Sequence, residues 1–321
     1  MDRHILYQNL MEAINQKIPR DKNLVNFLME ILQLEKEAVY RRINGKVPFS
    51  FLEIATISDK LDFSLDDIVS PDYSKSRPSR FLITEFIDPT ANYYTVLEEI
   101  VNLLKSTEGK IGTEGCEVTN SLPQPLYLMY ENISRYFLFK WKIHNGYTSN
   151  ITPYNQISIP EELRELQLEN IKVSQYLSKS NYIFDNLLFY HIIHEIKLYM
   201  SMDLISPEES QLIKTDLHYI VDEIEILARR GAYPDSGNSL NIYVSNINIP
   251  TSYCYIQTDD EQISLVKAFS INGVTSTDRR IFEKMKGWID SIKRQSTLIS
   301  QTGERERTLF IDEQRKIIES L

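Results

Sequence analysis

The sequence predicts a multidomain, mainly α chain. A five-helix, all-α domain comes first. An α+β region follows, in which a helical part precedes a small antiparallel β-meander and closing helices. Three observations carry this. Apolar residues recur near a 3.6-residue period through most of the first 70 positions. The run 70–80 (Ser-Pro-Asp-Tyr-Ser-Lys-Ser-Arg-Pro-Ser-Arg) has two prolines, four serines and no aliphatic residue, the composition of a linker. Strict alternation of apolar residues appears only late, at Leu240, Ile242 and Val244. The expected domains are therefore 1–70, a linker 71–90, and 91–321.

The elements follow in order. Ile5, Leu6, Leu10, Ala13, Ile14 and Ile18 form the apolar stripe of a first helix, stopped at Pro19. Asp21 is a candidate N-cap for a second helix through Leu24, Val25, Leu28, Ile31 and Leu32. After a short break at Gln33-Leu34, a third helix spans Glu35 to Asn44, and Gly45 suits the left-handed position beyond its end. Ser50-x-x-Glu53 is a capping box for a fourth helix. Ser64-x-x-Asp67 caps a short fifth one, Leu65 to Val69. Residues 92–106 read as helix. Residues 107–125 hold five glycines and prolines and read as loop, with one strand at Cys116–Thr119. Residues 125–143 form an aromatic helix. Residues 160–202 read as two helices that break near Ser178–Asn181. Ser206-Pro207-x-Glu209 opens a helix ending at Gly231. The alternating segment at 240–249 has a one-residue slip at Ser245-Asn246, which reads as a bulge. Tyr253–Gln257 and Ile263–Ile271, joined by polar residues, complete the meander. A helix with Ile281, Phe282, Met285, Trp288, Ile289 and Ile292 on one face comes next, and a last one covers about 304–321.

Composition bounds the chemistry. The chain has 321 residues, 42% of them apolar, enough for sizeable cores. Its net charge of −10 argues, for the chain as a whole, against a generic nucleic-acid or membrane-surface binder. Only 10 glycines are present, with no G-x-G-x-x-G. Gly45-Lys46 and Gly109-Lys110 lack a following Ser or Thr, so there is no P-loop. Two cysteines, Cys116 and Cys254, cannot build a disulfide framework or a thiolate zinc site. The N-terminus lacks the apolar core of a signal peptide, and no apolar run approaches the length of a membrane span. A cytoplasmic, membrane-independent protein is expected. No cofactor is implied. No set of nucleophile, base and oxyanion donors is found, so an enzyme is not expected.

The third helix carries the chemistry. On a helical wheel Val39 and Ile43 mark the buried edge. Glu37, Arg41 and Asn44 face away from it, and Tyr40 and Arg42 lie on the flanks. A short turn joins this helix to another amphipathic one, a helix-turn-helix arrangement. In such a unit the second helix enters the major groove. Arginine pairs bidentately with guanine and asparagine with adenine, while Lys36, Arg42 and Lys46 suit phosphates. Residues 22–69 resemble the lambda-repressor-like (Cro/C1, XRE-type) DNA-binding domain. The resemblance lies in Leu28-Met29-x-x-Leu32-x-Leu34, in Val39-Tyr40-Arg41-Arg42-Ile43-x-Gly45, and in the run from Phe49-Ser50-x-x-Glu53 to Ser64-Leu65-Asp66-x-Ile68. The family commonly has alanine and glycine where this chain has Met29 and Gln33, and an acidic residue where it has Ile43. The resemblance implies a sequence-specific transcriptional regulator that binds double-stranded DNA as a homodimer. The candidate DNA-binding residues are Lys36, Glu37, Tyr40, Arg41, Arg42, Asn44 and Lys46. Residues 1–46 carry 8 basic and 6 acidic residues, against 27 and 39 in 47–321, so the proposed DNA face coincides with the one mildly basic segment.

The region 91–321 matches no recognised family pattern. It is expected to dimerise the chain, and a response to a small-molecule or protein effector is left open. The rival reading is a protein-interaction module whose helix-turn-helix no longer binds DNA, favoured by the acidic whole and by Glu35 and Glu37. A third makes the C-terminal region an enzyme with a metal on His191 and His194, three residues apart on one helix. Helix-packing histidines are the preferred reading of that pair. The aromatic helix at 127–141 reads as core, with a ligand pocket or nucleic-acid stacking beside Lys140 and Lys142 as its alternatives.

Overall fold

The computed structural model describes residues 3–18, 22–61, 63, 68, 82–83, 89–145, 152–259, 261–269 and 272–321. It divides into two compact units, Met1–Ser79 and Arg80–Leu321. Asp21, the Ser64-x-x-Asp67 box, most of the expected fifth helix and most of the 71–90 linker lie outside the described residues.

In the N-terminal unit four helices are described: α1 (Arg3–Lys17), α2 (Leu24–Leu32), α3 (Lys36–Ile43) and α4 (Phe51–Leu61). They close around Leu10, Ile14, Phe27, Leu28, Val39, Phe49, Ile57 and Leu61. The N-cap of α2 is Asn23, whose side-chain oxygen accepts from the amides of Val25 and Asn26. The Ser50–Glu53 capping box forms as its spacing predicts. The Ser50 hydroxyl accepts from the Glu53 amide, and the Glu53 carboxylate accepts from the Ser50 amide at 2.7 Å.

The C-terminal unit overturns the mainly α expectation. Among the described residues its strands form one mixed eight-stranded sheet: β1 (Leu82–Ile83), β2 (Glu114–Thr119), β3 (Lys179–Asp185), β4 (Ser239–Ser245), β5 (Tyr253–Gln257), β6 (Gln262–Phe269), β7 (Asn272–Ser276) and β8 (Thr297–Leu298), in the order β1-β7-β6-β5-β2-β3-β4-β8. This is an α/β arrangement, not a small meander beside a helical part. Strands β2, β3 and β4 are parallel. Eight α-helices are described in this unit. These are α5 (Pro89–Lys105), α6 (Gln124–Tyr127), α7 (Glu131–Asn145), α8 (Glu161–Val173), α9 (Leu188–Ser201), α10 (Pro207–Arg230), α11 (Arg279–Arg294) and α12 (Glu304–Glu319). In the parallel crossovers α6–α8 link β2 to β3, and α9–α10 link β3 to β4.

Two cores flank this sheet. One face packs Tyr182, Phe184, Leu240 and Ile242 against α5–α10 and α12, with Trp141, Tyr136 and Phe139 of α7 fully buried. The aromatic helix is thus core. The other face packs Cys116, Val118, Ile183 and Tyr255 against Phe282, Ile289 and Ile292 of α11. That helix is capped by Asp278, whose carboxylate accepts from the Arg280 amide.

Two corrections concern individual elements. The expected helix break at Ser178–Asn181 is the start of β3, a strand buried along nearly its whole length. The expected bulge at Ser245-Asn246 is the end of β4, where the Ile247 amide turns back onto the Ser245 hydroxyl. A register shift does occur, but in β6, between Lys267 and Phe269. Among the described residues no helix is long and apolar enough to cross a membrane.

Candidate nucleic-acid interface

The turn between α2 and α3 sets the interface. Leu32 ends α2, and Gln33 takes a left-handed conformation (φ 52°, ψ 44°). Leu34 is half-buried, and Glu35 is extended as the N-cap of α3. The chain thus reverses within three residues and lays α3 against α2. A side chain at φ 52° costs about 1 kcal/mol over glycine, partly offset by the extra freedom glycine has when unfolded. Gln33→Gly is therefore expected to stabilise the N-terminal unit by about 0.5 kcal/mol, read as a shift in its urea midpoint.

The far end of α3 is closed by glycine. Gly45 has φ 68°, its amide donates to Arg42, and the Lys46 amide donates to Arg41. These two bonds make a Schellman motif and satisfy the last carbonyls of the helix. The Tyr7 hydroxyl also donates to the Arg42 carbonyl, and the Tyr7 ring lies 3.7 Å from where a Gly45 Cβ would stand. Gly45→Ala is expected to cost about 1 kcal/mol of unfolding free energy by the same denaturation measurement.

Between these ends the side chains sort cleanly. Val39 is buried, while Lys36, Glu37, Tyr40, Arg41, Asn44 and Lys46 are exposed. Among the described residues, the Lys36, Glu37, Arg41 and Lys46 side chains make no hydrogen bond or ion pair. The charged groups on this surface, Glu35, Lys36, Glu37, Arg41 and Lys46, sum to +1.

Arg42 stands apart and is withdrawn from the phosphate-contact set. Its guanidinium grips the Glu53 carboxylate, with Nε to Oε2 at 3.0 Å and Nη2 to Oε1 at 2.8 Å, and Nη1 donates to the Ala38 carbonyl. The two side chains are only 18% and 16% exposed. Burial pushes the Glu53 carboxyl up. The bonds and charge of Arg42 and the Ser50 amide outweigh it and hold the group below the usual carboxylate range. Arg42 therefore ties α3 to α4. The wheel had already put it on a flank.

Just beyond α3, Phe51 and Leu52 are strongly exposed at the start of α4, with Val47 exposed in the preceding loop. Their exposure was not anticipated, because capping and periodicity mark where a helix starts, not what covers its first turn.

In the C-terminal unit the other candidates are taken up internally. His194 Nδ1 lies 2.9 Å from the Tyr190 carbonyl and its ring packs on Tyr190, while His218 pairs with Glu319. Among the described residues no group of three or more His, Cys, Asp or Glu side chains that could hold a metal ion occurs. Lys140 pairs with Glu195 at 2.5 Å. Parallel sheets commonly bind ligands beyond the carboxyl ends of their strands. Here those ends bond to one another: Asp185 accepts from the Leu187 and Ile249 amides, and the Thr119 hydroxyl meets that of Ser252 at 2.6 Å.

One polar pair in the sheet has no signature in the sequence. Glu117 of β2 stands between Tyr182 and Cys254 on the neighbouring strands, 3.9 Å from Lys267. Burial pushes its carboxyl up, against the lowering effect of Lys267. Compared with protein-family models, with curated proteins and with solved structures, the chain matches none.

Proposed function

We propose that the chain is a sequence-specific DNA-binding transcriptional regulator, acting in the cytoplasm as a homodimer. The observation that carries this is the α2-turn-α3 unit. It leaves Lys36, Glu37, Tyr40, Arg41, Asn44 and Lys46 exposed on one short helix and the turn that closes it, while both helix ends are locked by backbone geometry. In this reading α3 lies in the major groove. Arg41 and Asn44 meet base edges, and Lys36 and Lys46 meet phosphates. The small positive sum of this surface makes non-specific affinity low, so tight binding needs two copies on two half-sites. The C-terminal α/β unit supplies the pairing of copies. A small-molecule or protein effector acting through it is part of the proposal.

The test is selection of genomic fragments by the full-length protein, followed by anisotropy titration of the enriched duplex at several salt concentrations. Enrichment of a sequence with two related half-sites, bound with steep salt dependence, supports the reading. No enrichment, and no binding at low salt, overturns it. One observation favours the rival protein-interaction module: exposed Phe51, Leu52 and Val47 give the N-terminal unit an apolar patch next to α3. On that reading Leu52→Asp abolishes capture of the partner protein and DNA selection finds nothing.

A further inference from the structure

The longest helix of the C-terminal unit, α10, has a second apolar stripe besides the one in the core. Ile213, Leu217, Ile220, Val221, Ile224 and Leu227 are buried against the sheet and its helices. On the outer face Leu212, Tyr219 and Ile226 are 54%, 56% and 60% exposed. They are spaced by seven residues, two near-complete helical turns, so they fall on one line about 21 Å long. A solvated helix face ordinarily carries charge in these places.

The stripe is symmetric about Tyr219. Leu212 and Ile226 are each seven residues from it. Glu208 and Arg230, eleven residues away on either side, share the same face, because seven and eleven steps both return to within about 20° of the start. Laid antiparallel on its own copy, the helix puts Tyr219 against Tyr219 at the centre. Leu212 then meets Ile226 on both sides, and an acidic end meets a basic end twice. Acid at the start and base at the end of a helix is common. Here the end charges flank an apolar line with the same centre. The Tyr219 ring is also held in place, stacked on Tyr130, whose hydroxyl donates to Glu223 at 2.9 Å.

We infer that α10 is the surface by which two copies of this chain associate, antiparallel, across a two-fold axis at Tyr219. A self-complementary patch is what such an interface requires. An unrelated partner would not need the aliphatic and charged positions to balance about one residue. The inference stands on the C-terminal unit alone and does not depend on DNA binding.

Sedimentation of the full-length chain over a concentration series tests it, with two sets of variants. Tyr219→Glu sets two carboxylates on the axis and is expected to weaken self-association at least roughly tenfold. Tyr219→Cys is expected to form a disulfide-linked dimer on mild oxidation, since only a residue on the axis meets itself, whereas Gln211→Cys does not. Glu208→Arg alone and Arg230→Glu alone each weaken the dimer, and the two together restore it. All these positions are exposed, so far-UV circular dichroism of the variants is expected to be unchanged. The charge-swap pair carries the test if a Tyr219 variant does not fold. A chain that stays monomeric throughout overturns the proposal. So does a dimer that survives Tyr219→Glu and fails to cross-link through Cys at 219.

Discussion

Glu53→Ala is expected to destabilise the N-terminal unit by about 3 kcal/mol, summing roughly 1 for the cap and 2 for a charge left unpaired. One carboxylate closes the capping box of α4 and grips Arg42 of α3. Its removal orphans the Ser50 amide and leaves a guanidinium, 18% exposed, facing its lost partner. A domain of this size holds only about 3–9 kcal/mol in total, so about a third or more of its stability is at stake. Hydrogen exchange resolves the effect: α3 and α4 amides lose protection while the sheet of the C-terminal unit keeps its own. Glu53→Gln still accepts from the Ser50 amide and is expected to lose about half as much. The pH dependence has a definite sign. The folded carboxyl is held below its unfolded value. Its contribution is therefore complete above the unfolded value and is lost as pH falls through the folded one. Wild type is expected to lose stability in that acidic window, and Glu53→Gln to lose less.

The contrast between the two units shows what a sequence discloses. The N-terminal helices were legible because they lie at the surface of a small core. Each has one wet face, and each end is written in residues with local chemistry: Ser50 with Glu53, and Gly45 after Asn44. The sheet is legible only in part: strands near β2, β4, β5 and β6 follow from the sequence, but β3 does not, because it has no wet face. In β3, Asn181, Tyr182, Ile183 and Phe184 are all buried, so no alternation survives, and the segment merges with the apolar helices around it. Strand direction was lost for the same reason. The alternation in β4 is real, but nothing local to it says that it lies parallel to β3, 60 residues away. The site divides along the same line. Burial of Val39 and exposure of Arg41 follow from one helix wheel. The engagement of Arg42 depends on Glu53, eleven residues on and on another helix, so the wheel sets it on a flank without showing that partner.

That division sets the second large effect. Arg41→Ala is expected to weaken binding to the selected duplex by about 1–3 kcal/mol, roughly tenfold to a hundredfold, with discrimination relaxed at one base pair of each half-site. Its weakening of random duplex is expected to be small, since a base contact contributes little there. Lys46→Ala has the opposite signature, weakening all duplexes alike and lowering the salt slope by about 1. Arg42→Met separates structure from recognition. It breaks the tie to Glu53, so stability falls, but the folded fraction should keep its sequence preference, because the guanidinium faces α4. Were Arg42 the base reader instead, preference would collapse in Arg42→Met and survive in Arg41→Ala. Anisotropy titrations of the three variants on selected and scrambled duplexes, corrected for folded fraction, decide between these assignments. Wild-type affinity and preference in Arg41→Ala would remove α3 as the reading helix, since a cation that points almost directly away from Val39 would then be making no contact that matters.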